Sequence, residues 1–432
     1  MNNPYDRDIL RLALPSIVSN ITVPLLGLVD VTVMGHIGDA RYIAAIAVGS
    51  MIFNVVYWLF GFLRMGTSGL TAQAYGARKA DEASNVLLRS LTLAFGIACT
   101  ILILQVPLRH LAIALMRPTA DVLPFVIPYY NICIWGAPAM LGLYALTGWF
   151  IGMQNTRIPM VIAIGQNIVN IVVSLFLVFG LGMQVEGVAL GTVVAQWCGL
   201  LMALLFVGRF PEAHGLRLSR AIFQKMGHFL RINRDIFLRT LFLVAVNLFF
   251  TSAGAAQGAV VLAVNTLLMQ LFTLFSYILD GFAYAGEALS GRYFGAGDKA
   301  GLQGVVRRLF GWGALMVVLF TLAYALGGQT FLALLTTDQA VVSAASEYVW
   351  WTLLIPVTGV AAFIWDGVFI GLTLSRGMFI SSMVAAVVFF LLYFLLQPVW
   401  GNHALWLAFV VYLLMRGVVQ TWLYATTARL RP

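Results

Sequence analysis

The sequence predicts an all-α integral membrane protein whose twelve transmembrane helices form two parallel six-helix lobes. Composition, the spacing of apolar runs and an internal repeat carry that prediction. Of the 432 residues, 61% are hydrophobic and 9% charged, and the mean hydropathy is +0.94. A soluble domain carries about 25% charged residues. With 25 Lys and Arg and 16 Asp and Glu, a water-facing surface of ordinary size cannot be built. A soluble enzyme, a disordered chain and a disulfide scaffold are therefore excluded, and most of the chain must lie in a bilayer.

Apolar runs long enough to cross about 30 Å of hydrocarbon lie near 10–34, 42–65, 88–108, 122–146, 159–180 and 187–208. Six more lie near 236–256, 258–282, 304–326, 341–366, 377–397 and 404–427, and the first two of these are separated by little more than Gly258. The basic stretch between the two sets divides the chain into an amino-terminal lobe over 1–208, a cytoplasmic linker over 209–235 and a carboxyl-terminal lobe over 236–432. The linker is expected to be partly an amphipathic surface helix. Ahead of the first run stand only a few residues with Asp6, Arg7 and Asp8, so that run is expected to be a permanent span and not a cleaved leader.

Loop charge orients the spans. With the amino terminus inside, twenty of the 25 basic residues fall on the inner side, seven of them between Arg209 and Arg239. Only Arg41, Arg109 and Arg117 fall outside, while Arg64 and Arg416 are near or within spans. Basic loops stay cytoplasmic, so both termini are expected there. This distribution also accounts for the net charge of +9 without nucleic acid as a partner.

The two sets of six are copies. Tyr75-Gly76-Ala77 recurs as Phe294-Gly295-Ala296, Phe150-Ile151-Gly152 recurs as Phe369-Ile370-Gly371, and Arg157 matches Arg376; the offset is always 219 residues. A constant offset across different loops marks a true repeat. Six spans per copy is an even number, so the copies share one orientation, and the substrate path is expected between them.

Polar residues inside such spans are informative, because a carboxylate at the centre of a membrane helix costs about 2.5–3.5 kcal/mol. Four acids qualify: Asp30 in span 1, Asp280 and Glu287 in span 8, and Asp366 in span 10. The plainer alternative is that some of them are span-end residues reaching interfacial water. In span 5, Gln166, Asn170 and Ser174 lie at i, i+4 and i+8 beside Asn167, one helix face suited to lining a wet cavity. In span 8, Tyr277, Asp280, Tyr284 and Glu287 lie at i, i+3, i+7 and i+10, placing two phenols and two acids on one face. Gln166, Asn167, Tyr277 and Tyr284 are the expected cavity residues. Cys99, Cys133 and Cys198 read as small buried hydrophobes, and the five histidines lack ligand spacing. No resident metal and no catalytic constellation is expected. Gly295-Ala296-Gly297-Asp298-Lys299 lacks the ending of a phosphate loop and reads as a turn.

The run Leu25-Leu26-Gly27-Leu28-Val29-Asp30-Val31-Thr32-Val33-Met34-Gly35-His36-Ile37-Gly38 resembles the first-helix signature of the MATE (multidrug and toxic compound extrusion) family. Gly69 to Ala77 after span 2 and Asp280 to Ala285 in span 8 are similar to it as well. Asp366 to Gly371 and Gly401 to Ala408 look like the DNA-damage-inducible, DinF-type branch. The resemblance covers nearly the whole chain. It implies two six-helix lobes around a V-shaped central cavity, and export of organic, often cationic, compounds by antiport with H⁺ or Na⁺. It places the family's first-helix acid on Asp30, its fifth-helix Asn-x-x-x-Asp pattern on Asn170 and Ser174, and its sixth-helix threonine on Thr192. A Na⁺ site would draw on Asp30, Asn170 and Thr192; with serine at 174 the second acid is missing. The expected coupling set is thus Asp30, Asn170, Ser174, Thr192, Asp280, Glu287 and Asp366. By the same resemblance the chain is expected in the bacterial inner membrane, acting as a monomer on small organic substrates. The alternative is a flippase or exporter of a lipid-linked or polysaccharide substrate. That class would need a basic cavity, for which Arg64 and Arg416 look too sparse and too terminal.

Overall fold

The structure is a computed structural model that describes residues 4–35, 39–215, 221–335 and 339–430. Nearly all of these residues are helical, and no strand occurs among them. A bilayer offers no hydrogen-bond partners to a bare backbone, so an apolar chain of this kind must satisfy its peptide groups within helices. Among the described residues, eleven helices are long and apolar enough to span a membrane. A 32-residue helix, α1 (Pro4–Gly35), precedes them and runs unbroken through Pro15 and Pro24.

The first set of spans is built from α2 (Ala40–Leu59) and α3 (Phe62–Gly76), α4 (Ala80–Ile103), α5 (Gln105–Met116), α6 (Leu123–Cys133) and α7 (Ala137–Gly152), α8 (Arg157–Leu175), and α9 (Val185–Val207). Two pairs are near-continuous helices with a local break. A turn of 3-10 helix, Ile134–Gly136, joins α6 to α7, and a wide π turn, Phe176–Gly180, extends α8. After a short α10 (Ala221–Gln224) come α11 (Met226–Ala256), α12 (Ala259–Gly295), α13 (Lys299–Leu335), α14 (Gln339–Gly371), α15 (Ser375–Trp400) and α16 (Asn402–Leu430). The helix α11 starts at Met226, inside the stretch read as a linker, so residues 226–235 are its first turns. Gly258 separates α11 from α12 with φ +116°, a conformation that favours glycine.

The chain divides into two units. One holds residues 18–231, and the other combines residues 1–17 with 232–432. In the second unit, α1 is fastened to the carboxyl-terminal helices by polar contacts. Arg292 donates to Asp8 at 2.9 Å, and the Trp312 indole N–H donates to Asp6 at 3.1 Å. The core of the first unit gathers Trp149, Phe150 and Leu146 with Ala83, Leu87 and Ala203.

The 219-residue repeat is also a structural one. At Gly148 on α7 a Cβ would stand 2.2 Å from the Arg64 carbonyl oxygen on α3, and at Gly367 on α14 it would stand 2.3 Å from the Ala283 carbonyl oxygen on α12. Gly152 and Gly371 face the Ser68 and Glu287 carbonyl oxygens in the same way, at 2.7 and 2.6 Å. The four motif loops close identically. Arg78, Gly297, Gln154 and Thr373 all have positive φ. The next amide in each loop reaches back five residues: Lys79 to Ala74, Asp298 to Tyr293, Asn155 to Phe150 and Leu374 to Phe369, at 2.8–3.0 Å. This is the Schellman ending of a helix. The repeated sequence therefore encodes one helix-pair contact and two helix stops, each made once in each unit.

Candidate functional site

In the unit of residues 18–231, the polar face of α8 meets α9. The Asn170 side-chain amide donates to the Thr192 hydroxyl at 3.1 Å, and that hydroxyl donates to the Val188 carbonyl at 3.1 Å. Both Asn170 and Ser174 are buried. Gly191 lets the helices approach, since a Cβ there would stand 2.1 Å from the Ser174 hydroxyl oxygen. Asn170 Oδ1 and Ser174 Oγ, both buried, find no hydrogen-bond partner among the described residues. Two oxygens withdrawn from water in this way complement a cation or a hydrogen-bond donor. The π turn at Phe176 begins two residues beyond Ser174; such turns recur at functional sites.

Asn167, on the adjoining face of α8, donates to the Thr22 carbonyl of α1 at 3.1 Å. It ties that helix to the cluster. Gln166 is half-buried and packs where Gly199 of α9 gives it room. Asp30 lies within α1, but its side chain is outside the described residues.

In the other unit, Asp366 on α14 is the centre of a buried ionic cluster. Arg239 on α11 and Arg416 on α16 both donate to its Oδ2, Arg416 at 2.5 Å, while Gln420 donates to Oδ1 at 2.6 Å. All four side chains are buried. The neighbouring Trp365 is fixed by its indole N–H on Thr421 at 2.7 Å, and the Arg416 guanidinium lies 5.7 Å from the Tyr412 ring. Asp280 is half-buried and within electrostatic reach of both Arg416 and Tyr277. One unbroken helix, α12, presents Tyr277, Asp280 and Tyr284, half-buried, along the face that ends at buried Glu287. Near the start of α11, Asp235 accepts from Ser375 at 3.2 Å and from Arg234 at 2.9 Å.

Two sequence readings change here. Arg416, set aside as too terminal, stands fourteen residues into α16 and is buried against a carboxylate. Arg239, counted among the inner-loop charges, lies inside α11. The missed signal was the spacing of Arg416 and Gln420, i and i+4 on one helix face of a span. Among the described residues, no group of three His, Cys, Asp or Glu side chains could hold a metal ion.

The repeat, the helices long enough to span a membrane and the polar clusters buried among them are the architecture of a multi-span transporter. The MatE family model matches residues 15–176 and again 236–398, one copy in each half, and the chain belongs to that family. It is 41% identical over 416 residues to DNA damage-inducible protein F of Escherichia coli, covering 96% of this chain and 90% of that protein. It is 19% identical over 404 residues to the multidrug export protein MepA of Staphylococcus aureus, covering 92% and 89%. A crystal structure of MATE in a bent conformation superposes with a TM-score of 0.88 at 20% identity, over 98% of this chain and 96% of that one.

Proposed function

We propose that this transporter exports organic cations of amphiphilic character across the bacterial inner membrane in exchange for H⁺ or Na⁺, with both termini cytoplasmic. The observation that carries the reading is the buried pair of unpartnered oxygens, Asn170 Oδ1 and Ser174 Oγ, on a helix whose adjoining face holds α1 through Asn167. That site offers oxygen acceptors to a cation, and the acid of α1, Asp30, supplies the charge that a proton can cancel. A carboxylate carries either a proton or a cation at one time, so uptake of the first displaces the second. Tyr277, Asp280 and Tyr284 on α12 offer a second acidic, aromatic face suited to cationic substrates.

The relative described as a multidrug export protein supports the direction and breadth of transport. Export of an anionic lipid-linked or polysaccharide substrate is a second reading, favoured by the buried guanidinium groups of Arg239 and Arg416. Asp366 and Asp280 lie within reach of that pair and balance it, which leaves no surplus positive charge for an anion. Purified protein in proteoliposomes tests the proposal, with H⁺ and Na⁺ gradients imposed separately. Drug-dependent flux of the coupling ion is expected, with Asp30→Asn and Asn170→Ala abolishing it in protein that still elutes as a monodisperse peak. Flux that survives both substitutions overturns the reading.

A further inference from the structure

The run Gly401 to Ala408 has no part in the sites described above, yet the structure gives each of its polar side chains a partner. Gly401, at φ +51°, turns the chain from α15 into α16. Asn402 and Trp406 both donate to Asn265 of α12. His403 is held from two sides by α14: the Trp351 indole N–H donates to its Nδ1 at 3.2 Å, and Glu347 Oε1 lies 3.4 Å from its Nε2. The Tyr348 ring stands 4.6 Å from the imidazole, with its hydroxyl bonded to the Asn402 side chain, and Trp350 stacks on Trp351 at 3.9 Å. The His403 and Glu347 side chains retain 32% and 63% of their exposure, so the junction is open to protons. Charge is otherwise scarce around it. Residues 241–279 on α11 and α12 and 377–415 on α15 and α16 hold no Asp, Glu, Lys or Arg, and His403 is their single histidine. Residues 309–365 on α13 and α14 add only Glu347 and Asp338, the latter outside the described residues. The titratable side chains that face His403 are thus Glu347 and Tyr348, both from α14.

An indole N–H can only donate, so His403 Nδ1 must turn a lone pair toward Trp351. The proton of the neutral ring is then on Nε2, facing Glu347. Protonation puts a second N–H on Nδ1, directly against that of Trp351. The indole bond is lost, while the imidazolium gains a charge-assisted bond to Glu347. One proton therefore trades one contact between α14 and α16 for another, and imidazole is the side chain suited to make that trade between pH 5 and 8. We propose that Trp351, His403 and Glu347 form a pH-sensitive junction between α14 and α16. It lies at the end of α16 remote from the carboxyl terminus. The topology proposed above places that end outside, where the junction registers the acidity from which an H⁺-driven exporter draws its protons.

The test follows the indole N–H signals of the eleven tryptophans by NMR of the full, nitrogen-15-labelled chain in detergent as the pH is lowered. Trp351→Phe identifies the signal of interest. On acidification that signal should move upfield in a single transition between pH 5 and 8. Its exchange with solvent should speed by about two- to tenfold, the worth of one neutral hydrogen bond. His403→Asn keeps a neutral acceptor near the Nδ1 position, so in that variant the signal should hold its place at every pH. A Trp351 signal that does not move, that moves only below about pH 5 where a carboxylate titrates, that moves together with all the others, or that still moves in His403→Asn overturns the inference. The readout is the indole and not transport, so a failure of the proposed export appears separately, in the proteoliposome flux.

Discussion

Replacing Asp366 by Asn removes the carboxylate that pairs directly with two buried guanidinium groups. Arg239 and Arg416 both donate to its Oδ2, and both retain little exposure. Removing one partner from a buried ion pair costs about 3–5 kcal/mol, because the remaining charge stays buried without compensation. Arg416→Met is the milder change. Asp366 keeps Arg239 and its Gln420 hydrogen bond at 2.6 Å, so the loss is that of a single charge-assisted bond, about 1.5–3 kcal/mol. The triple replacement Arg239→Met, Asp366→Leu, Arg416→Met removes the three directly paired charges together and is expected near neutral. Thermal unfolding in detergent, followed by tryptophan fluorescence and by the fraction surviving size exclusion, ranks the three. Asp366→Asn should be the least stable, Arg416→Met intermediate, and the triple variant close to wild type. An Asp366→Asn protein as stable as Arg416→Met, or a triple variant worse than either, refutes the assignment of Asp366 as the counter-charge of the cluster.

Gly148→Ala and Gly367→Ala should each cost about 1–3 kcal/mol by overpacking, since each Cβ meets a backbone carbonyl within 2.3 Å; matched falls in melting temperature check the equivalence of the two units. Asn265 and Asn402 exchange side-chain hydrogen bonds at 2.8 and 2.9 Å, and Trp406 donates to Asn265 at 2.9 Å. Asn402→Ala leaves Asn265 partly unpaired at a cost of about 1–3 kcal/mol, and Asn265→Leu combined with Asn402→Leu should cost less than the sum of the two single changes in the same melting assay. Outside the spans, the Arg41 side chain donates to Asp39 and holds its carboxyl below the usual range. The folded value lies below the unfolded one, so this support for the first turn of α2 is present above about pH 4 and is lost as pH falls through the folded value. Hydrogen exchange of the amides of residues 40–43 should accelerate only in that acid window, and Asp39→Ala should remove the pH dependence.

Much was fixed by composition and period alone. The scarcity of charge forced the helices into a bilayer, and the 219-residue offset announced two equivalent halves. The structure renders that offset as matching glycine contacts at Gly148 and Gly367 and matching stops at Arg78, Gly297, Gln154 and Thr373. Those features are local, since a helix stop or a close helix pair needs only neighbouring residues or one helix face. The stripe of Gln166, Asn170 and Ser174 was legible for the same reason, because spacing along one helix determines which residues share a face.

Which helices bring their faces together is not written in any single segment. Arg239, Asp366 and Arg416 are far apart in sequence on α11, α14 and α16, and only packing makes them one cluster. Spacing could show Asp366 as a costly membrane acid; it could not show that two arginines satisfy it. The sequence determined that acids and amides would be buried in apolar helices. The tertiary structure decided which of them are neutralised and which keep an unpaired oxygen, because burial makes polar groups expensive while only neighbours from other helices can satisfy them.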